Sequence, residues 1–247
     1  MTLMSSLLRR LPLPSGESFH DLDLEIVKLL AEYEFVRYSE RPFRLKSGVE
    51  SHVYVSGRED LTDHPDLEVL VGKKIALTVW QNTALDDRRQ PCLIGLPTAG
   101  TVLAQAAAMA SVLFDRPDRL IVCHRVMREV LKKHGAHHTW VNGKPDLSRH
   151  AYWTVDNVAT DGQTKVEAAE KLTEDGYPAK QMPCLIFVDR QQGAIARLQA
   201  EGFDKIVVVF KLLDVAYALG ELEHWPKKVV TAVEKEIREH QFSSSGR

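Results

Sequence analysis

The residues best suited to chemistry lie in one strand–turn–helix segment. Tyr152–Val155 is an apolar run typical of a buried strand, and the polar pair Asp156 and Asn157 follows it. A turn containing Thr160 and Gly162 then opens a helix. The N–H groups and positive end of such a helix suit a phosphate, and a carboxylate suits sugar hydroxyls. The same pattern fits an ordinary strand–turn–helix unit in which Thr160 caps the helix, so both interpretations stay open.

Four further segments combine charged or hydroxyl side chains with tight turns. They are Phe43–Gly48 (FRLKSG) with Ser51 and Tyr54 behind it, Pro97–Gly100 (PTAG), Arg128–Gly135 (REVLKKHG) and Val188–Gly193 (VDRQQG). Each also has a purely structural interpretation. The segment 97–100 fits an ordinary turn in which glycine takes a positive φ, and 128–135 fits a solvated basic loop.

Together these segments resemble the orotate branch of the type I phosphoribosyltransferases. The segment 152–164 resembles the family's signature for phosphoribosyl pyrophosphate (PRPP), in which two acidic residues precede a loop rich in Thr and Gly. Segments 43–51, 128–135 and 188–193 resemble the patterns F-x-L-K-S-G-x-x-S, R-K-E-x-K-x-H-G and V-D-R-x-x-G. They occur in the family's order over about residues 20 to 215, which makes a chance match a poor explanation.

The resemblance implies transfer of the phosphoribosyl group of PRPP to a ring nitrogen of orotate, giving orotidine 5′-monophosphate and pyrophosphate. The catalytic residues that it implies are Lys132, Arg128, His134 and Asp156. Cations that meet the leaving pyrophosphate stabilise the transition state more than the ground state. Mg²⁺ is expected to arrive with PRPP and to be held mainly by phosphate oxygens and water, so no protein metal ligand is assigned.

The resemblance also assigns binding residues by position. The PRPP-binding positions are Lys46, Thr98, Ala99, Gly100, Asp156, Asn157, Ala159, Thr160, Asp161, Gly162, Gln163 and Thr164. The orotate-binding positions are Lys46, Tyr54, Thr160 and Arg190. A guanidinium matches the planar carboxylate that distinguishes orotate from uracil. Arg190 would equally fit a structural ion pair with Asp189, and Lys46 would fit an exposed strand lysine.

Three residues depart from the family pattern. Asn157 replaces the second acidic residue of the signature, Asp161 stands where Thr or Ala is usual, and Glu129 replaces a lysine of the catalytic loop. A carboxylate at 161 repels a nearby phosphate unless it points away. One hypothesis is a working enzyme of a divergent branch, which the retained loop cations favour. The alternative is a regulatory relative that binds PRPP or a nucleotide with weak or no catalysis. Transfer to a purine or another base is disfavoured by the segment 46–48 and by Arg190.

A regular alternation of strands and helices must position these residues. Apolar runs predict five strands, Cys92–Leu96, Leu120–His124, Tyr152–Val155, Cys184–Val188 and Ile206–Phe210. Helical patterns occupy Asp21–Tyr33, Leu67–Trp80, Thr101–Leu113, Gln163–Leu172, Ala194–Glu201, Leu212–Leu222 and Pro226–His240. We therefore expect an α/β fold of the type I phosphoribosyltransferase kind, with a five-stranded, mainly parallel sheet flanked by helices. A hairpin around Gly48 would form a small hood, and ligands would bind at the carboxyl ends of the strands.

The chain is expected to form one phosphoribosyltransferase domain over residues 19–242. The hood would cover about 19–62 and the core about 63–242, between a flexible extension (1–18) and a disordered tail (243–247). A net charge of −2 gives no general case for binding nucleic acid or a membrane. No signal peptide or membrane span is expected.

The cysteines are expected to be buried free thiols. Cys92, Cys123 and Cys184 have no spacing typical of a metal site. Free thiols are usual in the reducing cytoplasm, where we place the protein. The resemblance further implies a homodimer in which the catalytic loop is shared between subunits.

Overall fold

A five-stranded sheet forms the centre of the computed structural model, which describes residues 10–45, 48, 50–56, 60–84, 86–115, 119–128 and 144–240. The strands are β5 (Gln90–Gly95), β6 (Cys123–Val126), β7 (His150–Ala159), β8 (Cys184–Asp189) and β9 (Ile206–Lys211). Every pairing in this sheet is parallel, which confirms the predicted fold class. No helix in the described ranges is both long enough and apolar enough to cross a membrane.

The strand order, β6-β5-β7-β8-β9, determines where a ligand can enter. The chain moves outward from β5 to β6, crosses back to β7, and continues outward through β8 to β9. The connections that leave β5 and β7 therefore run in opposite directions and open a crevice between the carboxyl ends of these strands. The loops at 96–100 and 160–162 follow β5 and β7, so two of the predicted PRPP segments lie side by side.

Helices cover both faces of the sheet. They are α1 (Asp21–Glu32), α2 (Asp60–Asp63), α3 (Pro65–Gln81), α4 (Ala99–Ser111), α5 (Gln163–Glu174), α6 (Ala194–Ala200), α7 (Leu212–Glu221) and α8 (Lys228–Glu239). Side chains alternate along β7, so that Trp153 and Val155 join one apolar cluster with α1, α3, α4 and α7. Tyr152 points the other way and packs with residues of α5 and α6.

The hood is an antiparallel hairpin that packs on the core through aromatic and aliphatic side chains. Its strands are β3 (Val36–Arg44) and β4 (Glu50–Val55), with an irregularity in the register between Tyr38 and Phe43. The predicted hairpin is confirmed and is longer than the sequence pattern indicates. Phe35, directly before β3, is fully buried and meets Phe187 of β8 edge to face at 5.9 Å.

The segment 10–18 does not behave as the flexible extension that was expected. Leu11–Pro12 (β1) pairs with Ser18–Phe19 (β2), and Phe19 is buried. The backbone N–H of Ser15 donates to Oδ1 of Asp214 at 3.1 Å. Burial of Phe19 and this long-range hydrogen bond hold the segment against the core. Residues 1–9 and the predicted tail 243–247 lie outside the described residues.

Several element boundaries differ from those predicted, and three of the differences have a clear reason. The strand predicted at Leu120–His124 is Cys123–Val126, and Leu120 is 45% exposed. Apolarity at 120–122 therefore does not mark a strand. β7 continues to Ala159, four residues beyond its predicted end, because parallel pairing with β8 extends that far. Pro226 precedes α8, whose N-cap is Lys227.

Candidate active site

A cleft of about 440 Å³ lies between the hood and the loop that follows β7. Leu45, Tyr54 and Val55 form the hood side, and Asn157 and the loop 160–165 form the core side. The fold thus brings the predicted orotate-binding Tyr54 and Thr160 into one cavity with the predicted PRPP loop.

The loop after β7 has the geometry of an anion-binding turn. Gly162 has a φ of 81°, a left-handed conformation that favours glycine, and α5 begins at the next residue. A Cβ at Gly162 would also lie 3.3 Å from the carbonyl oxygen of Ala194, so the packing against α6 leaves little room. The first turn of a helix has N–H groups without intrahelical partners, and here that turn lines the cleft.

Asp161 occupies part of this turn with its own carboxylate. Oδ1 accepts a hydrogen bond from the backbone N–H of Gln163 at 3.2 Å, and Oδ2 lies 3.5 Å from Nη1 of Arg197. Nη2 of Arg197 also donates to the side chain of Gln163. Asp161 therefore uses a donor that a phosphate would need, while Arg197 partly offsets its charge. Both side chains are about one-third exposed, so solvent screens the pair.

Asp156 faces α5 rather than the cleft. It lies within β7, where consecutive side chains point to opposite sides of the sheet. Nζ of Lys165 is 2.5 Å from Oδ2 of Asp156 and also donates to the carbonyl of Val158 at 2.8 Å. Lys165 and Asp156 are only 4% and 8% exposed. Among the described residues, the cleft wall includes Asn157 but not Asp156.

Asn157 joins the core to the hood. Its Nδ2 donates to the backbone carbonyl of Ser56 at 3.1 Å, just beyond the end of β4. A carboxylate at this position could not donate that hydrogen bond, which gives a structural reason for asparagine here. Oδ1 of Asn157 makes no hydrogen bond within the described ranges, so it can accept one from a ligand in the cleft.

The loop after β5 packs directly against β7. The N–H of Leu96 donates to the carbonyl of Val155 at 2.8 Å. A Cβ on Gly100 would lie 2.3 Å from that same carbonyl oxygen, so only glycine permits the approach. Thr98 is the N-cap of α4, and the peptide bond between Pro97 and Thr98 is cis. The predicted pyrophosphate loop is thus positioned beside the end of β7.

Arg128 lies next to both loops. Together with Pro97 and Thr164 it lines a small cavity of about 100 Å³. Its Nε is buried and has no hydrogen-bond partner in the part of the chain that the structure describes. A buried donor without a partner is unfavourable unless a ligand or water satisfies it, so this position suits an anion. The other predicted loop residues, Lys132 and His134, and the departure Glu129 lie outside the described residues, as does Lys46.

Arg190 lies at the back of the cleft, in a buried network. Nη2 is 2.8 Å from Oε1 of Glu236 on α8 and 2.7 Å from Oγ of Ser51, and Nη1 donates to the carbonyl of Val53 at 3.0 Å. Nε donates to Gln192 at 3.4 Å. Burial lowers the pKa of Arg190, and Glu236 opposes this shift. The ion-pair partner is therefore Glu236, and not Asp189 as the alternative interpretation had it.

This network restricts what Arg190 can offer a ligand. A guanidinium has five N–H groups. Four are used in the hydrogen bonds above, which leaves one N–H on Nη1 without a partner among the described residues. In this arrangement a bidentate clamp on a carboxylate would require displacement of Ser51, Val53 or Glu236.

Sequence reasoning missed the partners of several predicted residues. Lys165, Glu236, Arg197 and Ser56 are not part of any segment that was singled out. The position of Lys165 could have been used to predict its pairing, since a lysine within the first turn of α5 lies close to the end of β7. Glu236 is 46 residues from Arg190, and no local pattern connects the two.

The comparisons with known proteins agree with this architecture. No protein-family model matches the chain. The chain is 31% identical to the orotate phosphoribosyltransferase of Cenarchaeum symbiosum over 196 residues, which cover 79% of this chain and 90% of that protein. The crystal structure of orotate phosphoribosyltransferase from Aeropyrum pernix superposes with a TM-score of 0.56 at 25% identity, over 81% of this chain and 99% of that one.

The structure of Leishmania donovani UMP synthase also matches, with a TM-score of 0.66 and 25% identity. The match covers 87% of this chain but only 42% of that chain. The fold, with its cleft between the hood and the loop after β7, therefore defines a phosphoribosyltransferase of type I. Within that class, the chain belongs to the orotate phosphoribosyltransferase family.

Proposed function

We propose that the protein transfers the phosphoribosyl group of PRPP to orotate, forming orotidine 5′-monophosphate and releasing pyrophosphate. The observation that carries the proposal is the cleft in which Tyr54 of the hood faces the anion-binding turn after β7. Arg128 lies beside the neighbouring β5 loop, at a position suited to the leaving group.

PRPP would lie across the β5–β7 crevice. The 5′-phosphate would bind the turn 160–164, where backbone N–H groups and the end of α5 attract an anion. The pyrophosphate would extend towards Thr98, Ala99 and Gly100 at the start of α4 and towards Arg128. Ala159 is the last residue of β7 and directly precedes the turn.

Asn157 would replace a carboxylate as the acceptor for a ribose hydroxyl, because its Oδ1 is on the cleft wall. Direct contact of Asp156 with PRPP would require exchange of its bond to Lys165. We therefore propose that Asp156 positions the first turn of α5 through Lys165. This positioning role replaces the catalytic role that the resemblance implied for Asp156.

Mg²⁺ would enter as part of the Mg–PRPP substrate complex. The Asp156 carboxylate is paired with Lys165, and the two carboxylates on the cleft wall, Asp161 and Glu167, each accept a hydrogen bond from Gln163. The described residues of the cleft therefore gather no group of three ligands for a metal ion. This donor set fits an ion held mainly by phosphate oxygens and water, and Mg²⁺ commonly binds in this way. When bound, the ion neutralises charge on the leaving pyrophosphate.

Orotate would bind between Tyr54 and Thr160, on the hood side of the ribose. An aromatic ring such as Tyr54 can stack on the pyrimidine. Arg190 would contribute its remaining N–H to the orotate carboxylate, and Lys46 would add a charge from the hood. Lys132 and His134 would approach the pyrophosphate from the loop that begins after Arg128. We propose a cytoplasmic homodimer in which this loop is shared between subunits.

A second candidate is a catalytically weak relative that binds PRPP or a nucleotide in a regulatory role. The observation that favours it is the Asp161 carboxylate, which occupies a donor of the phosphate-binding turn. The retained cations Arg128 and Lys132 favour the enzyme, because a relative without catalysis need not keep the cations that stabilise a leaving group.

Product analysis separates these candidates. The protein is incubated with Mg–PRPP and, in separate reactions, orotate, uracil or adenine, and nucleotide and pyrophosphate are measured by chromatography. We expect a nucleotide product only in the reaction with orotate, where orotidine 5′-monophosphate and an equal amount of pyrophosphate should form. Calorimetric binding of PRPP without any product would support the regulatory relative, and a product with adenine but not orotate would contradict the proposed substrate.

A further inference from the structure

Two cysteines and a histidine meet at the amino-terminal edge of the sheet. Cys92 of β5 is paired directly with Cys123 of β6, and His150 is the first residue of β7. All three residues lie near the amino ends of their strands. The candidate active site lies at the carboxyl ends, so the group is at the opposite end of the sheet. The proposed transferase reaction uses none of the three.

The strand register puts these side chains on one face. Cys92 is the partner of Cys123 on one side and of Tyr152 on the other, and partners across a ladder face the same way. His150 lies two residues before Tyr152 in β7 and therefore shares that face. The arrangement follows from three regular strands and needs no special loop conformation.

The three donor atoms lie close enough together to share one metal ion. The two Sγ atoms and a ring nitrogen of His150 all lie within 4.8 Å of one another, and Sγ of Cys123 is 3.7 Å from Nδ1 of His150. Zinc bonds of about 2.3 Å to sulfur and about 2.0 Å to nitrogen place tetrahedral ligands roughly 3.5 to 3.8 Å apart. The separation of Cys123 and His150 lies within that range, and the limit of 4.8 Å leaves the other two pairs at most about 1 Å wider than it.

Thiolate and neutral imidazole are the forms that bind metals. The hydrogen bond between the two thiols lowers the pKa of Cys123, but the same bond and burial raise the pKa of Cys92. Loss of the Cys92 proton must therefore be driven by formation of the metal–sulfur bond itself.

The site has solvent access on one side. Cys92 is buried, but Cys123 and His150 are partly exposed. A cavity of about 270 Å³ borders His150 and Tyr152 and includes Asn82 and Arg89 in its walls. Of the three side chains only His150 lines this cavity, so a metal ion and a water as the fourth ligand would reach the site through the exposed parts of Cys123 and His150.

We propose that Cys92, Cys123 and His150 bind one zinc-class ion that clamps the amino ends of β6, β5 and β7. Two sulfur atoms and one imidazole select a soft or borderline ion such as Zn²⁺ over Mg²⁺. As the two metal–sulfur bonds form, both thiol protons are released to solvent. The fourth position is taken by water.

Cobalt substitution tests the site. The full-length protein is stripped with a chelator and titrated with Co²⁺, then with Zn²⁺. We expect a near-ultraviolet thiolate-to-cobalt charge-transfer band and strong visible bands of tetrahedral Co²⁺, saturating at one ion per chain and abolished by Zn²⁺. Mg²⁺ should not compete. Absence of the charge-transfer band in the wild-type protein would overturn the proposal.

Single variants identify the ligands. Cys123→Ser and His150→Gln change partly exposed residues, and circular dichroism checks that each is folded. Each should weaken Zn²⁺ binding by more than the roughly 10–100-fold typical of losing a residue that only supports a ligand. Cys184→Ser removes a buried thiol outside the group and should leave the affinity unchanged. Wild-type affinity in both ligand variants, or an equal loss in Cys184→Ser, would overturn the assignment.

Discussion

At the residue scale, the turn that we propose binds PRPP is partly occupied by the carboxylate of Asp161. Asp161 accepts the Gln163 N–H and is balanced only by the partly exposed Arg197. In the proposed function, PRPP has to displace this carboxylate or bind beside it. Removal of the carboxylate should therefore favour the ligand, although the residue belongs to the proposed binding site.

Asp161→Ala should tighten binding of Mg–PRPP. The change frees a backbone donor, removes a like charge and leaves Arg197 available. We expect the Kd to fall about 5-fold, which corresponds to about 1 kcal/mol. Titration calorimetry measures this, with Asp204→Ala at an exposed position as the control. Weaker binding in Asp161→Ala would mean that Asp161 orders the turn rather than competing for it.

The buried pair of Lys165 and Asp156 gives a second prediction at this scale. Lys165→Met leaves a buried carboxylate without its cation and should lower the free energy of unfolding by about 3–5 kcal/mol. Adding Asp156→Asn removes that charge and should restore part of the loss. Urea denaturation of both single variants and the double variant measures the coupling. Strictly additive losses would show that the pair is not an energetic unit.

At the element scale, one network connects α8, the hood and β8. Glu236 of α8 binds Arg190, Ser51 of β4 and Gln192, all of them buried. These contacts set the position of the hood, and hence of Tyr54 in the cleft. A change in α8, outside the cleft wall, should therefore affect orotate more than PRPP.

Glu236→Gln should raise the KM for orotate several-fold and lower stability by about 2–4 kcal/mol, because Arg190 loses its buried counter-ion. Steady-state kinetics and urea denaturation measure the two effects. Glu234→Gln, on the same helix, breaks only an exposed pair with Arg238 and should change neither quantity noticeably. Equal effects of the two substitutions would refute the proposed role of the network.

Elements were predictable from the sequence where the pattern is local. The runs at 184–188 and 206–210 are apolar and β-branched, and they are strands within a residue of the prediction. Apolar character misled at Leu120, which is exposed, and Pro226 precedes its helix. Polar strand ends such as 156–159 resemble loops, because the sequence does not reveal the strand that pairs with them.

The candidate site was predictable to the same extent. Local motifs identified the turn 160–164 and Tyr54, which border the cleft, and Arg128, which borders the smaller cavity beside the loop after β5. The partners that decide their chemistry are distant in sequence, as Glu236 is from Arg190. The group formed by Cys92, Cys123 and His150 was likewise missed, because three strands must be placed in register before it exists.

At the scale of the whole molecule, a half-buried histidine makes stability depend on pH. Burial lowers the pKa of His124, and its Nδ1 has no partner among the described residues. As pH falls through about 6.5, the unfolded chain takes up a proton that the folded chain resists, so stability is lost towards lower pH. His124→Gln should flatten this decline between pH 7 and 5 in urea denaturation, and His224→Gln, which is exposed, should not. An unchanged decline in His124→Gln would exclude this cause.

We propose that orotate receives the phosphoribosyl group in the cleft with help from Lys132 and His134. The most direct measurement is the fall in orotate absorbance when Mg–PRPP is added, followed for the wild-type protein, Lys132→Ala and the adjacent Lys133→Ala. We predict a PRPP-dependent fall in the wild type, a kcat at least about 100-fold lower in Lys132→Ala, and little change in Lys133→Ala. No fall in the wild type, or equal rates in the two lysine variants, would contradict the account.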